Sequence, residues 1–319
     1  MDYESFSDQL IKEIQLSLEG QGIELQRHEV TKNNGVVKDS VTVKSSDSLI
    51  APVFYLDNLY EMHKDGYSIS ELVDKTIHDL DRSMKNAPKV PELTAESAKE
   101  NLYCTVINTL SNEERLKHVP HEKLEDLSVV ARFKVGNDSS FLVTNDICKT
   151  LRMTAEEVME AAHANTERQK FTCQSMNDVL REIIIGEGMP ESYADEIIHT
   201  HGDQCPMWVL SNESRIDGAV AMASQDTLKE AHEKLGEDYY ILPSSRHEVI
   251  LVPQSMVSNV EDLKSMVHEV NITEVSETDR LSDSVYHFNG KHLSIADTVS
   301  ETLSDSLSEA VSRGHSHSH

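Results

Sequence analysis

Residues 238–253 read Asp-Tyr-Tyr-Ile-Leu-Pro-Ser-Ser-Arg-His-Glu-Val-Ile-Leu-Val-Pro, and the rest of the chain can be interpreted outward from them. Residues 239–242 and 249–252 are short apolar runs with the length and residue types of buried strands. The Pro-Ser-Ser segment at 243–245 between them consists of residues that favour turns. This stretch therefore predicts a strand, a tight turn and a second strand.

Strands, turns and helices alternate over the remaining chain as well. Asn34-Gly35 lies between two segments of alternating apolar residues and predicts a hairpin, because both residues tolerate positive φ. Apolar residues spaced by three and four predict amphipathic helices at 3–18 and 69–85, and Ser224 as N-cap with Gly236 as the closing residue predicts a helix at 226–235. We expect an α+β fold, with mixed or antiparallel sheets built from hairpins and helices packed on them.

Further elements follow from single residues and shorter patterns. Pro52 suits the first turn of a helix and predicts one over 48–64. Thr154 and Glu157 have the spacing of a capping box, which predicts the start of another helix. Residues 206–222 predict a second strand pair, with strands at 206–211 and 216–222 and a polar turn between them.

Composition divides the chain into regions. Residues 87–91 read Ala-Pro-Lys-Val-Pro, which is typical of a linker. The last residues contain no aromatic side chain and many serines, which is typical of low-complexity sequence. The predicted regions are an N-terminal helix-hairpin-helix-helix region at 1–88, a middle α/β and helical region at 92–205, a C-terminal α+β region at 206–290, and an amphipathic helical or disordered tail at 291–319.

The chain is strongly acidic. Its 319 residues include 56 Asp and Glu against 29 Lys and Arg, which gives a formal net charge of −27. Binding to nucleic-acid phosphates requires clustered Lys and Arg, so no direct nucleic-acid binding is expected. Two interpretations of the charge remain open, a solvated acidic surface or a nucleic-acid mimic that occupies a basic groove on a partner.

Several features predict a soluble, cytoplasmic protein. The sequence contains no apolar run long enough to cross a bilayer, and its first residues are acidic and amphipathic, unlike a secretory signal. The four cysteines are far apart in the chain and form no C-x-x-C pair, which indicates free thiols in a reducing compartment: Cys104, Cys148, Cys173 and Cys205.

The turn at 243–248 holds the candidate catalytic residues. A hydrolase-like site would use Ser244 or Ser245 as nucleophile, His247 as base and Glu248 to orient the base. Neighbouring residues on a strand point to opposite faces, so His247 and Glu248 cannot both reach one serine without distortion. The chain also has no G-x-S-x-G elbow. The alternative is a structural turn in which the hydroxyls bond to the backbone.

A second cluster has the composition of a metal site. His199, His201 and Cys205 offer three ligands of the kind that zinc prefers. The sequence provides no second ligand pair at a suitable spacing, so a zinc site here stays a hypothesis. It also contains no phosphate loop, dinucleotide fingerprint or kinase motif, and no cofactor is expected.

Five groups of residues form a pattern that is specific in combination. They are Val30-Thr31-Lys32-Asn33-Asn34-Gly35; Ile50-Ala51-Pro52 with Tyr55-Leu56 and Tyr60; Asn212 with Gly218-Ala219; Tyr240-Ile241-Leu242-Pro243-Ser244-Ser245 with His247-Glu248-Val249-Ile250; and Met266-Val267 with Glu269-Val270-Asn271. Over residues 1–288 the chain resembles the uncharacterised bacterial family called domain of unknown function 5688.

The resemblance implies a bacterial cytoplasmic protein, similar to proteins found near mobile elements, and it supplies no activity and no catalytic residues. The family usually has an apolar residue where this chain has Arg246, which predicts that this position is exposed. The missing catalytic motifs, the acidic surface and an amphipathic tail that could dock on a partner favour a non-enzymatic interaction or regulatory protein of a bacterial mobile element or host, with another protein as partner. The alternatives are a hydrolase-like enzyme centred on 243–248 and an acidic nucleic-acid mimic.

Overall fold

The computed structural model of the protein describes residues 1–45, 51–86, 91–136, 139–201 and 207–296. These residues form helices and three antiparallel sheets, which confirms the predicted α+β fold. They divide into two compact units. Unit 1 contains Met1–Tyr103, Thr109–Pro120 and Ala131–Asn165, and unit 2 contains Cys104–Asn108, His121–Val130 and the chain from Thr166 onward. The predicted regions 1–88, 92–205 and 206–290 stay a prediction.

The first elements of unit 1 are three helices and a three-stranded sheet. In chain order they are α1 (Tyr3–Ser17), β1 (Ile23–Thr31), β2 (Val37–Ser45), β3 (Val53–Tyr55), α2 (Leu56–Lys64) and α3 (Ile69–Lys85). The strands lie in the order β1-β2-β3, and the predicted Asn34-Gly35 hairpin joins the first two, with φ of 60° and 70° at these residues. Fully buried Phe6, Leu10 and Leu72 are part of the core between the helices and the sheet.

The helix predicted over 48–64 is shorter than expected. Residues 53–55 form the edge strand β3, in which Val53 pairs with Thr42 and Tyr55 with Ser40. α2 begins only at Leu56. Val, Phe and Tyr favour extended backbone, so their intrinsic preference decides the structure of this segment and Pro52 does not start the helix.

The middle of the chain contributes a second sheet and four helices. In chain order its elements are α4 (Ala95–Asn101), β4 (Leu102–Asn108), α5 (Glu113–Leu116), β5 (His121–Leu124), β6 (Leu127–Val135), β7 (Ser139–Leu142), α6 (Asn145–Leu151) and α7 (Ala155–Glu167). The strands lie in the order β4-β6-β5, and β7 pairs with β6. The predicted capping box is present, since the backbone N–H of Glu157 donates to Thr154 and that of Thr154 donates to Glu157.

Unit 2 is built on a six-stranded sheet. Its elements are β8 (Phe171–Ser175), α8 (Met176–Gly186), α9 (Glu191–His201), β9 (Trp208–Asn212), α10 (Gln225–Leu235), β10 (Tyr239–Leu242), β11 (Val249–Pro253), α11 (Val260–Thr273), β12 (Tyr286–Phe288) and β13 (Leu293–Ile295). The strand order is β13-β12-β10-β11-β9-β8, so the strand pair predicted from residues 238–253 lies at the centre of the sheet.

Residues alternate between the two faces of this central strand pair. Tyr239 and Ile241 are fully buried, and the Tyr239 hydroxyl donates 2.9 Å to the carbonyl of Leu228 in α10. Leu242 and Val252 belong instead to a cluster that includes Leu263 of α11. Helices therefore cover both faces, which explains why both runs are continuously apolar.

Three segments of unit 2 differ from the sequence prediction. Residues 216–222 do not form a strand, because Gly218–Ala223 are a 3-10 helix entered from a left-handed Asp217 with φ of 56°. β8 was not predicted at all. Part of the segment predicted as a helical or disordered tail forms β13, which pairs with β12, while residues 297–319 lie outside the described residues.

Candidate functional site

The turn at 243–248 is held along its backbone by the segment 279–282. The N–H of Arg246 donates 2.9 Å to the carbonyl of Asp279. The carbonyl of Ser244 accepts from the N–H of Leu281 at 3.4 Å. The carbonyl of Pro243 accepts from the N–H of Ser282, also at 3.4 Å. The backbone of the turn is thus hydrogen-bonded almost like a strand, which restricts its movement around a substrate.

Gly218 closes the other side of the turn. The Ser211 hydroxyl donates 2.7 Å to the carbonyl of His247, and the N–H of Ala219 donates 3.1 Å to that of Arg246. A Cβ on Gly218 would lie 2.5 Å from the His247 carbonyl oxygen and would collide with Ser211. Only glycine fits at this point, because the backbone of the turn approaches too closely for a side chain.

A charged cluster lies under the turn. Asp217 is 1% exposed, and its carboxylate is 2.6 Å from the guanidinium of Arg246. The Asp279 carboxylate is 3.8 Å from the same guanidinium. The Arg246 side chain is only 17% exposed, so the expectation that position 246 is exposed is wrong. The Arg246 guanidinium is buried because it neutralises the buried Asp217 carboxylate, and a buried carboxylate without a partner would be destabilising.

His247 is engaged on both ring nitrogens. Its Nδ1 accepts from the backbone N–H of Asp217 at 3.3 Å, and its Nε2 lies 3.7 Å from the Asp279 carboxylate. The Ser245 hydroxyl oxygen accepts from the backbone N–H of His247 at 3.0 Å. In the described chain, the His247 ring forms no hydrogen bond with the hydroxyl of Ser244 or Ser245.

The four catalytic candidates are therefore neighbours but do not form a nucleophile–base pair. Ser244, Ser245, His247 and Glu248 are all half-buried. Glu248 makes no hydrogen bond or ion pair with any residue that the structure describes. This geometry is what a braced turn requires, and the catalytic role of these residues stays a hypothesis.

The chain that braces the turn is itself anchored by Asp126. This carboxylate, in the turn between β5 and β6, accepts hydrogen bonds from the hydroxyls of Ser282, Ser284 and Tyr286. Tyr286 is fully buried, and its burial and the nearby Asp126 carboxylate raise the pKa of its hydroxyl far above the ordinary value. The hydroxyl stays protonated and serves as a donor that fixes the segment.

The proposed metal ligands are only partly within the described chain. His199 lies exposed on α9, while the side chain of His201 and all of Cys205 fall outside the described residues. Within the described ranges, no group of three or more His, Cys, Asp or Glu side chains could hold a metal ion. The zinc site stays a hypothesis.

The described cysteines are free, as the sequence predicted, and two are poor nucleophiles. Burial raises the pKa of Cys104 to about 12 and that of Cys173 to about 11. Cys173 lines a cleft of about 340 Å³ between β8 and α10. Lys234 at its rim donates 2.5 Å to the Cys173 carbonyl and lies 5.3 Å from the Trp208 ring centre. A thiol with this pKa stays protonated at neutral pH and reacts slowly.

Sequence reasoning missed the apolar surface of α8 and α9. Five large apolar side chains in this helical hairpin are 38–45% exposed, and we call them the hairpin patch: Leu180, Ile183, Ile185, Met189 and Tyr193. One signal was present in the sequence. Residues 183–185 are three consecutive isoleucines, which span about 200° around a helix, so a single core-facing stripe cannot contain them all.

The hairpin is attached to the sheet by few contacts. Ser175 caps α8 by accepting from the N–H of Asp178 at 3.1 Å, and Val179 is the buried residue of that helix. In α9, Ala194 is fully buried. Arg181 joins the two helices through an ion pair of 2.5 Å with Asp195. Three apolar side chains of α8 thus keep 38–45% of their surface exposed outside the protein core: Leu180, Ile183 and Ile185.

The hairpin is also acidic. Residues 176–201 contain one basic residue, Arg181, and six acidic residues: Asp178, Glu182, Glu187, Glu191, Asp195 and Glu196. Arg181 contacts Asp195 and Glu191, and Glu182 pairs with Arg215 at 2.7 Å. Glu187 and Glu196 form no ion pair within the described chain, so their charges face solvent.

Comparison with known proteins places the chain in a family whose function is unknown. No helix of the described residues is long and apolar enough to cross a membrane. No curated protein and no solved structure matches the chain. The model of the family of unknown function DUF5688 matches residues 3–290, which is most of the chain, and the protein therefore belongs to this family.

Proposed function

We propose that this protein is a non-enzymatic interaction protein that binds another protein through the hairpin patch. The observation that carries the proposal is the exposure of five large apolar side chains between residues 180 and 193. Apolar surface concentrated in one element of a folded chain is typical of an interaction site, whereas scattered apolar residues need no explanation.

The state of the 243–248 turn supports a non-enzymatic role. Ser245, His247 and the charged residues below the turn hold it in place, and burial raises the pKa of the Cys104 and Cys173 thiols. The bacterial setting and the association with a mobile element, as accessory or regulatory factor, rest on the family resemblance and belong to the same proposal.

Site-specific photo-crosslinking in the native host tests the proposal. A benzophenone amino acid replaces Tyr193 in the patch, and a matched variant carries it at Tyr67, which is 48% exposed in unit 1. We expect a defined cross-linked protein with the probe at 193 and none with the probe at 67. The same products at both positions, or no protein cross-linked at 193, would contradict the proposal.

A further inference from the structure

We infer that the hairpin patch binds an amphipathic helix that carries Lys and Arg along the edges of its apolar face. The inference rests on the proposed function and deepens it by assigning the chemistry of the partner. It is argued from the spacing of the exposed residues, from the size of the hairpin and from the charges around it.

The exposed residues have the spacing that suits a helical partner. Leu180 and Ile183 are three residues apart on α8 and lie on the same side of that helix. Met189, in the turn after α8, and Tyr193, in the first turn of α9, are exposed apolar residues of the same hairpin. α8 is about 16 Å long at 1.5 Å per residue, which matches three turns of a partner helix with anchors at i, i+3 or i+4, and i+7.

The charges around the patch select a basic partner. Glu187 is the residue that ends α8, four positions after Ile183, and Glu196 occupies the next turn of α9 after Tyr193. Both carboxylates lack an ion pair within the described chain. Lys or Arg beside the apolar anchors of a partner would supply the missing charges and steer its association.

The same charges disfavour other occupants. A second copy of the chain would bring an equally acidic hairpin against the first. The sequence after Ala296 contains four acidic residues and one arginine, so this segment would also meet like charge. Anionic lipid headgroups would be repelled for the same reason. A basic amphipathic helix is the occupant that satisfies both the apolar surface and the carboxylates.

Two synthetic peptides test the inference against the full-length protein. Both are helices of about 18 residues with the same leucine and isoleucine stripe, flanked by lysine in one and by glutamate in the other. Fluorescence anisotropy measures their dissociation constants. We expect the lysine peptide to bind at least about tenfold more tightly, and the difference to shrink between about 50 and about 300 mM salt.

Matched variants locate the binding. Ile183→Ser with Met189→Ser should weaken the lysine peptide about tenfold or more, and Glu187→Lys with Glu196→Lys should weaken it several-fold. Matched double controls on and just after α11 are Met266→Ser with Ile272→Ser, where the side chains are 40% and 58% exposed, and Glu269→Lys with Glu274→Lys, both exposed; both should bind like the unchanged protein. Circular dichroism verifies that each variant is folded, and the charge variants change only exposed side chains.

Several outcomes would overturn the inference. Equal binding of both peptides would do so, as would control variants that weaken binding as much as the hairpin variants, because attraction would then come from the net charge alone. A dimer in light scattering that Ile183→Ser with Met189→Ser abolishes would identify a second copy as the occupant. Sedimentation with phosphatidylserine vesicles that depends on the same residues would identify a membrane.

The result is separable from that for the proposed function. If the lysine peptide does not bind at the patch but the probe at 193 still captures a protein, the interaction role stands and the assigned partner chemistry is wrong. If neither experiment gives binding, both proposals fail.

Discussion

The turn at 243–248 and the α8–α9 hairpin belong to the same unit. They differ in how many of their side chains find partners within the fold. The turn contains serines, a histidine and charged residues, and most of its polar groups contact the segments around 217 and 280. The hairpin contains isoleucines and glutamates, and five of its large apolar side chains remain exposed. The turn attracts attention in the sequence because of its residue types. The hairpin attracts attention in the structure because of its exposed apolar side chains.

The difference shows how structural and functional roles can be separated. A residue whose interactions are complete within the fold contributes mainly to stability, and its loss should lower the free energy of unfolding. A residue with exposed apolar surface or unpaired charge contributes little to stability, and its loss should affect binding. The following predictions test this contrast, from the largest expected change in stability to the smallest.

Removing the Arg246 side chain should have the largest effect. Arg246→Ala leaves the Asp217 carboxylate, 1% exposed, without its guanidinium, and should lower the free energy of unfolding by about 3–4 kcal/mol. Urea denaturation measures the loss. Adding Asp217→Asn to this variant should recover part of it, because the neutral amide needs no counter-charge; a double variant as unstable as the sum of the two single variants would contradict the ion pair.

Gly218→Ala should be the next most destabilising change. The added Cβ would collide with Ser211 and come within 2.8 Å of the backbone nitrogen of Asn212, so the braced turn must shift. We expect a loss of about 2–3 kcal/mol in the free energy of unfolding. The matched control is Gly186→Ala at the end of α8, where nothing lies within 4 Å of the new Cβ and stability should stay equal or rise slightly. Equal losses in both variants would disprove the close approach.

Substitutions in the hairpin patch should barely alter stability. Ile183 is 45% exposed, and serine has a similar helix propensity, so Ile183→Ser should change the free energy of unfolding by less than about 0.5 kcal/mol. The same denaturation experiment measures it. A loss comparable to that of Gly218→Ala would mean that the side chain packs against the protein and that the patch is part of its core.

The serines of the turn should show no enzymatic reactivity. The His247 ring is held by Asp217 and faces Asp279, so it does not activate Ser244 or Ser245. A fluorophosphonate probe should leave both serines unlabelled, as judged by mass spectrometry of the tryptic peptides. Labelling of either serine that disappears in His247→Ala would establish the hydrolase-like alternative instead.

The elements that local sequence determines were predictable. The Asn34-Gly35 turn, the Thr154 capping box and the strands β10 and β11 depend on residues next to each other in the chain. Their turn and cap preferences act without help from the rest of the fold, and for this reason the α+β class could also be predicted.

Elements decided by distant contacts were not predictable. The run 218–222 is apolar enough for a strand, but the approach of the turn backbone to Gly218 forces a 3-10 helix. Arg246 is buried because Asp217, far away in the chain, lies beneath it. β8 contains threonine, glutamine and serine and has no fully buried residue, so its pairing with β9 leaves little trace in its composition.

The position of α8 and α9 in the chain has a consequence for how the family can vary. Both helices lie between β8 and β9, which are antiparallel neighbours, and Ser175, just before α8, pairs with Trp208 at the start of β9. The segment that contains α8 and α9 therefore begins and ends at adjacent points of the sheet. A two-residue turn could also join β8 to β9 there. The length and sequence of this segment can therefore change while the strand order of the sheet stays intact.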